Sequence, residues 1–428
     1  MLQNKKVIIS VIGLGYVGLP LANEFSKYFN TIGYDKSNNR IELLRDKKKD
    51  TNSQLTKKDL QETNIFFTSD AQEIKKANFH IVTVPTPIDK KNKPDLQYLI
   101  AATKDVAKVL KKRDLVVYES TVYPTCTREV CIPILEKISG LQLNKNFYCG
   151  YSPERINPGD KKKTVVNINK IVSGSNNFSL NKIFNVYKKI IKAKLFKASS
   201  IEVAEAAKII ENTQRDLNIG LINEFSQIFN KLKIDTEEVL SMASTKWNFH
   251  SYTPGLVGGH CIGVDPYYLT YKSKKIGHYP KIILAGRDVN DKMSSYVAKE
   301  VIKKLNKKNS RSKIKKKILI LGCTFKENCP DIRNSKIFDL HSHLKQIANL
   351  EIDIFDPIAQ YEEVLNEYGV KILKNIKKNY YDAIILAVPH SVFKSNFFAN
   401  IKKKFGKKKC FLFDLKFFYP IQDSDFRL

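Results

Sequence analysis

The hydrophobic pattern of the chain changes period along its length and predicts buried strands alternating with amphipathic helices. Val7-Ile8-Ile9-Ser10-Val11-Ile12 is a nearly continuous apolar run, as in a parallel strand covered on both faces. Residues 19–29 have helical periodicity, and Thr31-Ile32-Gly33-Tyr34 is a second short strand that ends on Asp35. Residues 79–84 and 115–118 read as further strands, running into Pro85-Thr86-Pro87 and Glu119-Ser120-Thr121. The stretch 151–159, Tyr-Ser-Pro-Glu-Arg-Ile-Asn-Pro-Gly, is too rich in turn formers to be an element. From Ser199, with Glu202 three residues on in a capping-box pattern, no proline interrupts the sequence before Ile234. A helix of about 32 residues there would span roughly 48 Å, longer than one small domain is wide, which suits a bridge or a dimer interface.

After a basic linker at 303–317 the opening pattern returns. Residues 317–322 repeat the first strand and its glycine, and 351–356 repeat the second strand with its terminal acid. Residues 381–389 repeat the strand that ends at Pro85, and 410–414 the one that ends at Glu119. The predicted fold class is therefore α/β, two Rossmann-like doubly wound parallel-sheet domains joined by a long central helix.

Between the first strand and its helix stands Gly13-Leu14-Gly15-Tyr16-Val17-Gly18, a G-x-G-x-x-G sequence. Gly13 makes the tight turn, Gly15 lets a pyrophosphate approach, and Gly18 lets helix pack on strand. The helix N-terminus attracts the phosphates, and Asp35 can accept from a ribose 2′-hydroxyl, which favours NAD over NADP. Ligands of such sheets lie beyond the C-terminal strand ends, which places Thr86 and Thr121 at the cofactor; simple turn-making is the alternative for each. The second half lacks the glycine fingerprint, because Cys323-Thr324-Phe325-Lys326 follows Gly322. Side chains would have to hold a pyrophosphate there, and Lys326 and Arg333 are available.

Gly258-Gly259-His260-Cys261-Ile262-Gly263-Val264-Asp265-Pro266 is the most suggestive stretch for chemistry. The glycines leave the Cys261 sulfur unshielded, and Asp265 could sit beside it, although a free cysteine is commonly a buried, inert apolar residue. Lys208 and Asn212 share one helix face with Arg215 a turn further, where solvated charge is the usual explanation for a lysine. Alcohol oxidation alone has no use for a thiol. A thiol becomes necessary when an aldehyde must be oxidised again through a thiohemiacetal and a thioester. Two successive NAD-linked oxidations at one carbon are therefore expected.

Composition narrows the field. Seven cysteines without a C-x-x-C pair or matching histidines exclude a disulfide framework and a metal site. The apolar run at 7–21 imitates a secretion signal, but its three glycines and the lack of a small-residue cleavage site point to a cytoplasmic protein that is not membrane-bound. The net charge of +30 raises the alternative of a basic nucleic-acid-binding protein. The lysines are scattered (47–49, 161–163, 315–317, 402–404, 407–409) and mixed with Asn and Ile, so compositional bias explains them, and attraction of anionic small molecules follows more directly.

Taken together, residues 13–20 (Gly-Leu-Gly-Tyr-Val-Gly-Leu-Pro), 83–87, 119–124, 152–159, 207–216, 258–268 and 325–334 resemble the nucleotide-sugar 6-dehydrogenases, the UDP-glucose/GDP-mannose dehydrogenase family, over nearly the whole chain. His-Cys-Ile-Gly-Val-Asp-Pro-Tyr-Tyr is similar to the branch acting on UDP-N-acetylhexosamines in Vi-antigen and O-antigen biosynthesis; the UDP-glucose branch usually has Lys where Val264 stands. The resemblance implies Cys261 as nucleophile, and Lys208, Asn212 and Asp265 as proton handlers or alkoxide stabilisers. It places Glu154 and Thr121 on the water that opens the thioester. Tyr16, Val17 and Arg40 join the cofactor set, and Arg333 would reach the cofactor phosphates. Glu154, Arg155, Ile156, Lys208, Asn212, Arg215, Gly258, Phe325 and Lys326 would line the UDP-sugar. It further implies a homodimer built on the long helix, and a division into an NAD-binding domain (1–198), a central helical domain carrying the Cys loop (199–302) and a UDP-sugar domain (303–428). The expected substrate is UDP-GlcNAc or UDP-GalNAc, with UDP-glucose, UDP-ManNAc and GDP-mannose as alternatives.

Overall fold

Short apolar runs separated by turn residues assemble into two parallel-rich sheets, each the core of one compact unit. The computed structural model describes residues 6–46, 55–156, 164–306, 315–347, 349–395, 398 and 400–428. Lys47 to Lys49, Asn157 to Gly159, Lys161 to Lys163 and residues 307–314 of the expected linker lie outside the described residues. The chain divides into residues 1–211 with 267–278, and residues 212–266 with 279–428.

The first unit holds eight strands: β1 (Ile8–Ile12), β2 (Asn30–Tyr34), β3 (Ile65–Thr68), β4 (Phe79–Val82), β5 (Leu115–Tyr118), β6 (Tyr148–Tyr151), β7 (Lys170–Gly174) and β8 (Leu195–Lys197). Their order is β3-β2-β1-β4-β5-β6-β7-β8, with the chain reversing direction at β1 as doubly wound sheets do. All pairings are parallel except β6 with β7, which is antiparallel. Ile9, Val11, Leu19, Phe25, Ile81 and Val117 are fully buried between strands and helices. Each such side chain contributes roughly 1.5–3 kcal/mol when withdrawn from water.

The second unit holds β9 (Lys316–Leu321), β10 (Leu350–Phe355), β11 (Tyr381–Leu386), β12 (Gly406–Asp414) and β13 (Phe426–Arg427), in the order β10-β9-β11-β12-β13, all parallel. The repeat reaches atomic detail. Gly13 has φ +94° and donates its N–H to Tyr34 O at 2.8 Å; Gly322 has φ +83° and donates to Phe355 O at 2.9 Å. An added Cβ would strike Val84 in one case and Val388 in the other, so only glycine makes either turn.

The long helix runs over Ile201–Leu232, 32 residues, and crosses the division of the chain at Glu211/Asn212. Its start corrects the expected cap: Ser200, not Ser199, accepts the N–H three residues on, from Val203, while the Glu202 carboxylate is taken by Arg128. In the second unit it crosses the helix Lys281–Asn306 where Gly220 and Gly286 stand, and a Cβ on Gly220 would lie 3.0 Å from Gly286 O. Each helical glycine costs about 1 kcal/mol, offset by the close approach it allows.

Other expectations need adjusting. Tyr151 ends β6, so the turn-rich stretch starts at Ser152. The first helix is Gly18–Ser26, shorter than expected at its C-terminal end. The expected linker is helical to Asn306 and extended from Lys316. No described helix is long and apolar enough to cross a membrane.

His341 lies buried in the helix Lys336–Ile347, where desolvation, helped by Lys345, pushes its imidazole down from 6.5 to about 4. The unfolded chain therefore takes up a proton that the folded chain refuses, and the contribution to stability is lost as pH falls from about 6.5 to about 4. Thermal melts across that window should fall for the wild type and fall less steeply for His341→Leu.

Candidate functional site

At the turn after β1, Asp35 is placed by the end of β2 and accepts the N–H of Leu14 at 2.9 Å and of Ser37 at 3.0 Å. Arg40 donates from Nε and Nη2 to Leu14 O, so the turn is held from both sides. A Cβ on Gly18 would stand 1.8 Å from Gly13 O and 2.4 Å from the Thr83 hydroxyl. A Cβ on Gly15 would meet nothing within 4 Å. Val17 at the helix N-cap offers no side-chain cap. Open space over Gly15 and uncapped amides beside it are what a dinucleotide pyrophosphate requires, so the residues present fit NAD. Tyr16, Thr86 and Thr121 are half-buried.

Further along the same sheet, Glu154 lies in the loop after β6 and is 7% exposed. Its Oε1 accepts the N–H of Arg155 and of Ile156, both at 2.6 Å, and its Oε2 accepts from Lys170 Nζ at 3.0 Å. Lys170 also donates to Glu119 Oε2 at 2.7 Å, and the Tyr187 hydroxyl donates to Glu119 Oε1. Burial opposes ionisation of Glu154, yet Lys170 and the two amides outweigh it and hold the carboxyl below its usual range. Burial wins at Glu119, with the Glu154 charge adding to it against Lys170, and pushes that carboxyl up to about 7. The Arg155 guanidinium pairs with Glu211 and Asn169 O.

The Cys loop belongs to the second unit, and glycine seats it. A Cβ on Gly258 would lie 2.6 Å from Asn334 O; Gly259, at φ +83°, would place one 2.7 Å from the Phe325 ring. Gly259 N–H donates to Asn334 O at 3.2 Å, and the His260 ring stands edge-on to Phe325. Arg333 is forked onto Asp331, which also faces His260. Cys261 O accepts the N–H of Asp265 at 2.8 Å, tying it to the start of the helix Asp265–Lys275. Cys261 is partly exposed, and the other six cysteines are buried. Asn212 Nδ2 donates to Asp265 Oδ2 at 2.5 Å, and both residues are buried.

Beyond the C-terminal ends of β9, β11 and β12 a cleft of about 100 Å³ is lined by Phe325, Lys326, Lys336, Val388 and Lys416 among others. Burial pushes the Lys416 ammonium down. This is the strand-end position where doubly wound sheets take ligands. Within each unit, then, the structure gathers Gly13, Gly15, Tyr16, Val17, Gly18, Asp35 and Arg40 at one turn and Glu154, Arg155 and Ile156 at one loop, and it sets the loop of Gly258 and Cys261 against the segment of Phe325 and Arg333 through Gly258, Gly259 and His260. Lys208 is buried, whereas Arg215 is exposed. Sequence reasoning missed Lys336 and Lys416, which line the cleft, and Lys170, the buried partner of Glu154. Glu119 stood in a recognised motif without a function.

Family models match three successive stretches: the UDP-glucose/GDP-mannose dehydrogenase family NAD binding domain over residues 7–191, its central domain over 202–292 and its UDP binding domain over 319–420. The chain is 54% identical over 424 residues to a UDP-N-acetyl-D-glucosamine 6-dehydrogenase of Salmonella typhi, covering 99% of each. It is 50% identical over 425 residues to one of Pseudomonas aeruginosa, covering 99% of this chain and 100% of the relative. Among solved structures, a UDP-D-ManNAc dehydrogenase from Pyrococcus horikoshii matches with TM-score 0.85 at 28% identity over 98% of both chains. Fold and matches together define an NAD-dependent nucleotide-sugar oxidoreductase with a UDP-binding domain. The chain belongs to the UDP-glucose/GDP-mannose dehydrogenase family.

The glycine geometry separates folding from binding. Gly18→Ala should destabilise the protein by about 1–3 kcal/mol, read as a lower Tm. Gly15→Ala should leave stability within about 0.5 kcal/mol of wild type. It should nevertheless weaken NADH binding by roughly tenfold, about 1.4 kcal/mol by fluorescence titration.

Proposed function

We propose that the protein oxidises C6 of a UDP-N-acetylhexosamine, UDP-GlcNAc or UDP-GalNAc, to the uronic acid, in the cytoplasm and for a surface polysaccharide. The names of the relatives from Salmonella typhi and Pseudomonas aeruginosa support UDP-GlcNAc, and Val264 in the Cys loop supports a UDP-N-acetylhexosamine more generally. Gly13, Gly15, Gly18 and Asp35 would hold NAD, which would supply the hydride acceptor for each of two oxidations. In the first, the C6 hydroxyl gives its proton to Lys208 or, through a water, to Asp265, while Asn212 donates to the developing alkoxide. The Cys261 sulfur adds to the resulting aldehyde as a thiohemiacetal, whose carbon loses the second hydride to leave a thioester. A water held by Glu154 and Thr121 attacks the thioester carbon; the C–S bond breaks, the acid leaves and the thiol is restored. Phe325, Lys326 and Gly258 hold the UDP-sugar, with Arg155, Ile156 and Arg215 reading the sugar or its diphosphate, and Arg333 serves the cofactor phosphates. The assignment of 1–198 to NAD, 199–302 to the helix and Cys loop, and 303–428 to the UDP-sugar is part of the same proposal.

One observation carries this reading: among seven cysteines the half-exposed one sits on the glycine-seated loop against Phe325. Two NADH should form per sugar, counted by absorbance against product acid; a ratio of one would refute the two-step scheme. Cys261→Ser should fold normally and lose acid formation by roughly 10³-fold or more. A panel of UDP-GlcNAc, UDP-GalNAc, UDP-ManNAc, UDP-glucose and GDP-mannose decides the sugar.

We further propose a homodimer on the long helix. Val203, Ile210, Leu221, Ile228 and Leu232 are exposed on it at spacings of seven, eleven, seven and four, a single apolar stripe. Leu221→Glu with Ile228→Glu should halve the mass measured by light scattering, and an unchanged mass would exclude this face.

A further inference from the structure

Resting on the function given to Glu154 above, we propose that Lys170 is a positioning residue for that carboxylate, fixed in its turn by Glu119 and Tyr187, so that four residues from four elements aim one carboxylate oxygen at the attacking water. Glu119 directly follows β5, Glu154 follows β6, Lys170 opens β7, and Tyr187 closes the helix Asn177–Tyr187. Lys170 is 1% exposed, and Glu119 and Tyr187 are buried with it.

The hydrogen bonds divide the work. Both oxygens of Glu119 are engaged, one by Tyr187 and one by Lys170. Lys170 is thereby held from the side away from Glu154 and reaches Glu154 Oε2 at 3.0 Å. Glu154 Oε1 is consumed by two backbone amides. Three donors on one carboxylate keep it an acceptor and leave it no proton to give, which suits a group that orients water and excludes a general acid. Oε2, with Lys170 on one lone pair, is the oxygen with acceptor capacity to spare.

A purely structural pair does not account for this arrangement. Burying charges costs more than their attraction returns unless the geometry is excellent, and an apolar replacement is commonly as stable. Here two buried carboxyls share one ammonium, and burial with the Glu154 charge already pushes Glu119 up to about 7, a cost that stability alone does not call for. The titratable groups facing the two carboxylates are Lys170 and Tyr187 together with each other. The Arg155 side chain points away to Glu211.

The test uses the full chain with NAD and UDP-GlcNAc. Lys170→Met should lower kcat roughly 100-fold with the KM for the sugar within about threefold, and intact-mass analysis should show the thioester accumulating on Cys261. Glu119→Gln keeps an acceptor for Lys170 and removes one negative charge beside Glu154. The wild-type kcat–pH profile should carry a step near pH 7, where the Glu119 carboxyl titrates, and the Glu119→Gln profile should lack it, which a packing defect would not produce. A folded Lys170→Met enzyme that clears the adduct at the wild-type rate, or a Glu119→Gln profile that coincides with the wild type's, overturns the proposal. If Lys170→Met does not fold, the Glu119→Gln profile decides alone. Glu154→Gln is the control: no adduct there refutes the function of Glu154 itself, whereas adduct there but not in Lys170→Met refutes only the positioning.

Discussion

A backbone amide left over at a strand-to-helix turn, and a carboxylate at the end of the neighbouring strand that takes it up, is the constraint on which both halves of this protein are built. In the first unit Asp35 accepts from Leu14; in the second Asp356 accepts from Cys323 at 2.6 Å and from Thr324 at 3.2 Å. An unpaired buried amide costs about 1–3 kcal/mol, so the acid is fixed wherever the turn is kept. The turn itself demands a positive φ, met by Gly13 and Gly322. Once glycine and acid are set, the ends of the adjacent strands are set as well, and a ligand-sized opening appears beyond them.

The same device has been turned to different ends. Asp35 remains half-buried and takes up the nearby amides of Leu14 and Ser37. Asp356 is buried and receives His390 Nε2 at 3.0 Å, while His390 Nδ1 accepts the N–H of Asn328. The imidazole takes up the acid and ties the segment carrying Phe325 and Lys326 to the loop after β11. Five donors, led by the histidine and followed by backbone amides, overcome the burial of Asp356 and hold its carboxyl far below the carboxylate range. With no second glycine after Gly322 and its acid already spent, this turn has lost what a dinucleotide requires, and the cleft beside it is lined by lysines instead.

Much of this was legible because it is local. Gly13, Gly15, Gly18 and Asp35 declare their geometry within one strand-turn-helix, and the echo at Gly322 and Asp356 follows by comparison. The 32-residue helix was legible from the absence of proline, but Ser199 and Ser200 offer the same hydroxyl one residue apart, and only the backbone decides between them. Non-local pairings were not legible. Lys170 meets Glu119 across 51 residues, and nothing in a lysine at the start of a short strand announces a buried ion pair. The antiparallel β6–β7 pair escaped for a similar reason: Tyr148–Tyr151 is four residues long and runs straight into turn formers, so its strand character comes from its neighbours.

The Cys loop shows what such non-local polar pairings do. Arg287 and Asp216, both buried, meet at 2.6 Å between the long helix and the helix Lys281–Asn306. Asn290 donates to Asp216 and accepts from Asn223, and Asn223 in turn exchanges two hydrogen bonds with the backbone of Gly255, at 2.8 and 3.0 Å. As a source of stability this chain is poor, since a well-packed apolar seam between two helices would do as well. Its effect is on register. Sliding one helix by a turn would leave Asp216 and Arg287 buried without each other, which costs several kcal/mol, so the crossing at Gly220 and Gly286 is pinned. Gly255 lies three residues before Gly258, so the pinned crossing also fixes where the loop to Cys261 begins. In the function proposed for it, the Cys261 sulfur would have to meet a carbon within a few tenths of an ångström, which calls for that kind of anchorage more than for extra stability.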